Sequence, residues 1–300
     1  MKEIKQIKIK KGMKVSELVR EFKETGVGAK KLGEAADVLE LMIKDRECKK
    51  FLGISGVLVP AGFKEVIMDL LEHIDVLVIT GANLTHDLIN ELGGKHYQGD
   101  ENVDDAELNE KGLDRIYNVF LDNKSYVKLE EFFEKNFDKL KGAKNIREFL
   151  WKLGEISPKN TILRKCYEKK IPVFCPAIAD SGIGLMIWGQ LCKNKKISVD
   201  AFDDLKEIIE LSWSSKKNGV IYINGGVPKN YIQQALQFSK GADYGLQITL
   251  AKVEDGGSSG AELKEGISWG KLNKNAKFVD LRCDSTIALP LILAALKDRI

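Results

Sequence analysis

From about residue 49 onward, short apolar runs alternate with segments whose apolar residues recur at helical spacing. "CKKFLGIS" (48–55) runs into a Gly/Pro turn and then "AGFKEVIMDLLEHI", where Phe63, Val66, Ile67, Leu70 and Leu71 share one helical face. "IDVLVIT" (74–80) is continuously apolar, as a strand buried on both faces must be. It breaks at "GAN" and restarts as the helix "LTHDLINEL". The same order recurs at "IPVFCP" (171–176), "GVIYIN" (219–224), "YGLQIT" (244–249) and "KFVDLRC" (277–283). Such alternation predicts an α/β fold with a largely parallel sheet flanked by helices.

Two regions break the pattern. Residues 100–170 are charged and carry "LEEFFEKNFDKL" with apolar positions on one face, which predicts a helical insertion or cap on the sheet. Residues 11–46 read as two amphipathic helices broken at "TGVGAKKLG". The expected organisation is an N-terminal helical extension over 1–46 and one compact α/β domain over 47–300. "IALPLILAAL" (287–296) is too short to span a bilayer and reads as a buried helix.

Composition narrows the function classes. Apolar content of 44% with 30% charge is that of a globular protein. Net charge is +3 with dispersed basic residues, which gives no support for nucleic-acid binding; the densest run, "KIKKGMK", reads as a solvated edge. No secretory h-region is visible, the five cysteines form no CxxC pair, and the three histidines lack zinc-ligand spacing. The expectation is a reduced, cytoplasmic, metal-free protein without a membrane segment.

Ligands of open α/β sheets bind beyond the carboxyl ends of the strands, where helix N-termini present unpaired N–H groups. Four strand ends carry polar or small residues there. They are Thr80, Gly81 and Ala82; Asp180 and Ser181; Gly225 and Gly226, followed by Pro228; and Asp284, Ser285 and Thr286. Helix capping is the ordinary reading of each alone. Four together favour a nucleotide-sized ligand, although no GxGxxG follows any strand. The oddest stretch is "EDGGSSGAELKEGISWGK" (254–271), a long acidic Gly/Ser-rich loop where two to six residues would be usual. It ends with Trp269 beside Lys271, and an aromatic neighbour is one route to a desolvated, reactive amine. A solvated lysine is the alternative.

These motifs resemble those of deoxyhypusine synthases. The resemblance is carried by "EGISWGK" followed by a strand and "DST", and by "GVGAKKLGEA", "FLGISG", "DVLVITGANLTHDLI", "GLDRIYNVF", "IPVFCPAIADSGIG" and "GGVPKNYI". It implies a Rossmann-like homotetramer that uses NAD to move an aminobutyl group from spermidine to a lysine of a translation initiation factor. The carrier is a lysine matched by Lys271. It also implies cofactor contacts at Thr80, Gly81, Ala82, Asp180, Gly225, Gly226, Asp255, Asp284 and Ser285. Amine contacts are implied at Glu265, Trp269 and Ser259. The chain departs from the family pattern where it carries His86, Leu185 and Ser258 in place of acidic residues, and Asn230 in place of a histidine. Val57 and Pro60 replace polar residues in the early cofactor loop. Two further readings follow: a polyamine enzyme with a small-amine acceptor such as putrescine, or an NAD-binding homologue without catalysis.

Overall fold

The computed structural model describes residues 1–300. The chain opens with α1 (Val15–Phe22) and α2 (Val27–Lys44), then β1 (Cys48–Ile54), α3 (Lys64–Leu70), β2 (Val76–Ile79) and α4 (Gly81–Glu91). Next come β3 (His96–Gln98), α5 (Asp105–Glu110), β4 (Leu113–Ile116) and β5 (Val119–Asp122). Helices α6 (Lys124–Leu140), α7 (Ile146–Ile156) and α8 (Ile162–Lys169) lead to β6 (Val173–Phe174) and α9 (Gly182–Cys192). The chain ends with α10 (Phe202–Trp213), β7 (Lys217–Ile223), α11 (Gly226–Gln237), β8 (Ala242–Thr249), β9 (Leu272–Arg282) and α12 (Ser285–Lys297). The fold is α/β with a parallel sheet flanked by helices.

The chain divides into two compact units, with crossings after Ser55, Met68, Val78 and Asp204. One holds Met1–Ser55, Asp69–Val78 and Leu205–Ile300; the other holds Gly56–Met68 and Ile79–Asp204. In the first, strands run in the order β2-β1-β7-β8-β9. β1 lies parallel to β7 with Cys48 opposite Lys217, and β7 parallel to β8 with Tyr222 opposite Gln247. β8 lies parallel to β9 with Gln247 opposite Asp280. Valine, isoleucine and leucine fill these strands because both faces are covered: α2 packs on β8 and β9, and α11 on β1. α1 and α2 are therefore walls of this unit, packed on each other and on α12. The two expected helices are present, and the break between them spans only residues 23–26, so "TGVGAKKLG" contributes Thr25 and Gly26 to it while Val27 already begins α2.

In the second unit, residues 124–169 form three helices as expected, whereas the stretch before them holds only the short α5 and a small sheet. His96–Gln98, Val119–Asp122 and Leu113–Ile116 form a three-stranded antiparallel sheet in the order β3-β5-β4. These strands are three or four residues long and mostly half-exposed, too short to show a period against the charged surroundings. "GAN" also differs from expectation, because Gly81 to Asn83 are the first turn of α4.

Candidate active site

In the first unit the site begins where β7 ends. Asn224, Gly225 and Gly226 all have positive φ, at 65°, 73° and 63°. That turn drives the chain from the strand straight into α11. A Cβ on Gly225 would lie 2.7 Å from Ser259 Cα, and one on Gly226 would lie 3.0 Å from the Ser55 side chain. Both positions thus need glycine for backbone angle and for space. No side chain caps α11 at Gly225. Gly226 N–H donates to Ser259 Oγ at 2.8 Å, and Asn224 Nδ2 donates to the Ser55 carbonyl at 3.3 Å.

The loop between β8 and β9 is laced to this turn. Ser259 meets Gly226, the Ala261 carbonyl accepts from Lys229 Nζ at 2.6 Å and from Gln247 Nε2 at 3.0 Å, and Leu263 N–H donates to Asp280 at 3.0 Å. Past these anchors, a 3₁₀ turn (Leu263–Ile267) carries Glu265 and delivers Trp269 and Lys271. Lys271 Nζ lies 4.9 Å from the centre of the Trp269 ring, in cation–π range. Trp269 is 57% exposed. Glu265 is exposed and Lys271 half-buried. Asn230 and Ser258 line a cavity of about 710 Å³ together with Gly226, Val227, Tyr231 and Phe238. No charged side chain lines it.

The second unit carries Thr80, Gly81, Ala82, His86, Asp180 and Leu185. Thr80 is the N-cap residue of α4, and no side chain caps that helix. Asn83, fully buried, holds the preceding loop to the helix start: it accepts from Val59 N–H at 3.2 Å and donates to the Gly56 carbonyl at 2.8 Å and to Thr80 Oγ1 at 3.0 Å. A Cβ on Gly81 would strike the Ser181 side chain at 2.5 Å, so Gly81 is small to let α9's start approach. Ser181 caps α9 by accepting from Gly184 N–H at 3.1 Å, leaving Asp180 exposed beside it. His86 is buried on α4, with Nδ1 2.9 Å from His96 Nε2. His96 Nδ1 lies 2.7 Å from Asn90 Oδ1. With that oxygen accepting, His96 donates from Nδ1 and accepts at Nε2 from His86, leaving His86 Nε2 bare. Burial, and secondarily His96, pulls His86 down to about 4, so it is neutral at physiological pH.

The four strand-end clusters therefore divide. Asp284 is a cap, accepting from Thr286 N–H at 2.8 Å, with Ser285 buried behind it, and Ser181 is another. The helix start after Thr80 lacks a side-chain cap, whereas at the start of α11 the Gly226 N–H is already taken by Ser259 Oγ. Uncapped N–H groups after a strand, beside residues as small as Gly81 and Ala82, are what a dinucleotide's phosphates need. On that observation the residues fit NAD. Asp255 lies exposed in a one-turn 3₁₀ segment of the loop.

The deoxyhypusine synthase family model matches residues 17–296. The chain belongs to that family. It is 40% identical over 302 residues, 99% of this chain and 95% of the relative, to "Probable deoxyhypusine synthase 1" of Methanosarcina acetivorans. It is 36% identical over 294 residues, 92% of this chain and 84% of the relative, to the "Deoxyhypusine synthase-like protein" of Chlorobaculum tepidum. A crystal structure from Entamoeba histolytica, described as a candidate deoxyhypusine synthase, superposes with a TM-score of 0.65 at 19% identity, covering 98% of this chain and 97% of that one. That last likeness concerns the fold.

Within this deoxyhypusine synthase family chain, sequence reading passed over Lys229, Gln247, Asp280 and Asn83. Register explains two of them, Gln247 and Asp280. Tyr222, Gln247 and Asp280 stand opposite one another on β7, β8 and β9, a polar row between the apolar rows Ile221–Leu246–Val279 and Ile223–Ile248–Leu281. The available signal was one polar residue in each apolar run. Lys229 was hidden by its type, since lysines are expected in water.

Proposed function

We propose that this deoxyhypusine synthase family member is an NAD-dependent aminobutyl transferase, with Lys271 as the covalent carrier and a protein lysine on a translation initiation factor as acceptor. The observation that carries the reading is Lys271 Nζ set 4.9 Å from the Trp269 ring centre, at the end of a loop anchored at three points. NAD, when bound, supplies a hydride acceptor that can oxidise an amine to an imine and later return the hydride. The helix start after Thr80 would hold its phosphates, with Gly81 and Ala82 small enough to let them approach the backbone. The Trp269 face and the Glu265 carboxylate attract a cationic amine. The Lys271 amine, in its neutral form, attacks the imine carbon. The new C–N bond forms as the bond to 1,3-diaminopropane breaks, and the proton shed by Lys271 leaves on that diamine. The acceptor lysine repeats the exchange and frees Lys271.

A second reading is favoured by the cavity at Asn230 and Ser258, which has no carboxylate to hold a polycation. In it the same carrier chemistry delivers to a small amine such as putrescine. Family membership also implies a homotetramer. The deciding experiment incubates the enzyme with labelled spermidine and NAD, offers either the initiation factor or putrescine, and traps with borohydride. An adduct on Lys271 that is absent from Lys271→Arg supports the carrier role. Cofactor binding with no adduct leaves only an NAD-binding homologue. Label on the factor, or a new polyamine, chooses the acceptor.

A further inference from the structure

Lys229 is a lysine with no exposed surface, in the first turn of α11 between Pro228 and the exposed Asn230. Burying an ammonium is expensive, and a neutral glutamine could bond a carbonyl in its place. We propose that Lys229 is a positioning residue: its ammonium latches the Ala261 carbonyl and thereby holds the loop that presents Glu265, Trp269 and Lys271. The inference rests on the reading of Lys271 as the carrier.

The geometry is specific. Lys229 Nζ reaches Ala261 O at 2.6 Å, a charge-assisted length, while neutral Gln247 reaches the same oxygen at 3.0 Å. Two residues on, Asp280 grips Leu263 N–H, so the cation and its counter-ion fasten opposite sides of the same bend. The charged groups that act on Lys229 are Asp280 on β9, Glu265 in the 3₁₀ turn and Lys271 at the head of β9. Asp280 in turn senses Glu262 and Lys31. Burial dominates and pulls Lys229 down to about 8; the two carboxylates oppose that shift and Lys271 adds to it. Its proton is therefore held below that pH and lost above it, where a neutral amine is the weaker donor. The latch is strong at physiological pH and slackens in mild alkali.

The test needs neither NAD nor spermidine. The full chain is reacted with a simple aldehyde and cyanoborohydride across a pH series, and labelling of Lys271 is read by peptide mass spectrometry. Hydrogen exchange of residues 259–263 is followed in parallel. Wild type is expected to show an inflection near pH 8 in both. Lys229→Gln keeps a neutral donor and loses the inflection, and Lys229→Met exchanges fast in the loop at every pH. Asp280→Asn removes the anion that helps Lys229 keep its proton, so its inflection moves to lower pH. An inflection unchanged in folded Lys229→Gln overturns the proposal, as does one that moves upward in Asp280→Asn. Should spermidine form no adduct while the inflection behaves as expected, the transferase reading fails and the latch stands.

Discussion

At the scale of single residues, the Asn224–Gly226 turn makes the sharpest demand. Gly225 combines φ 73° and ψ −119° with a backbone neighbour 2.7 Å from any Cβ. Gly226 at φ 63° faces the Ser55 side chain, which can yield. Gly225→Ala is therefore expected to lower stability by more than the roughly 1–3 kcal/mol of backbone strain alone, and Gly226→Ala by about that amount. Val227→Ala, at a half-exposed position, should stay within about 0.5 kcal/mol of wild type. Chemical denaturation of the three variants checks the order. Residues of this kind were legible in sequence, because two glycines ending an apolar run signal a turn. So was Lys271, through the length of its loop and the indole beside it. Lys229 and Asp280 were not, since nothing local reveals that a helix start and a neighbouring strand will bury them.

Elements set what those residues can do, and α4 shows it. The helix places His86 and Asp87 in succession, both buried, with titrations pushed in opposite directions. Burial lowers His86 to about 4 and raises Asp87 to about 7, the latter opposed by Ile162 N–H and Lys64. Between about pH 6.5 and 4 the unfolded chain binds a proton at His86 that the folded chain refuses, so acidification costs stability there. At Asp87 the folded chain takes the proton first, over about pH 7 down to 4, so acidification adds stability. The two offset each other in wild type. His86→Gln removes the larger opposing group, leaving only His96, which burial also pulls down, and should gain stability, relative to wild type, on going from pH 7 to pH 5. Urea midpoints at the two pH values measure it, and a shift of the opposite sign contradicts the assignment. The strands β1, β2, β7 and β8 were readable because full burial makes continuous apolar runs. The pairing of His86 with His96 was not, because it depends on α4 turning back into the three-residue β3.

For the molecule as a whole, the sequence carried the class of fold and the family, while the division into two units escaped it because both interleave along the chain. The helical wall of α1 and α2 likewise reads as an extension until β9 is placed behind it. No helix is long and apolar enough to cross a membrane. α9 nevertheless leaves Leu185, Trp188 and Leu191 exposed on successive turns, the sort of apolar stripe that a subunit contact covers. If the assembly follows the family, light scattering should give the mass of four chains, and Trp188→Lys should shift it toward smaller species without unfolding the monomer. The laced loop also has a meaning for a protease. Residues 252–257 are all exposed, whereas the next stretch is pinned at Ser259, Ala261 and Leu263. Trypsin should therefore nick after Lys252 well before it cuts at Lys264. The severed piece should stay in place, carrying Lys271 with it, because β9 remains in the sheet.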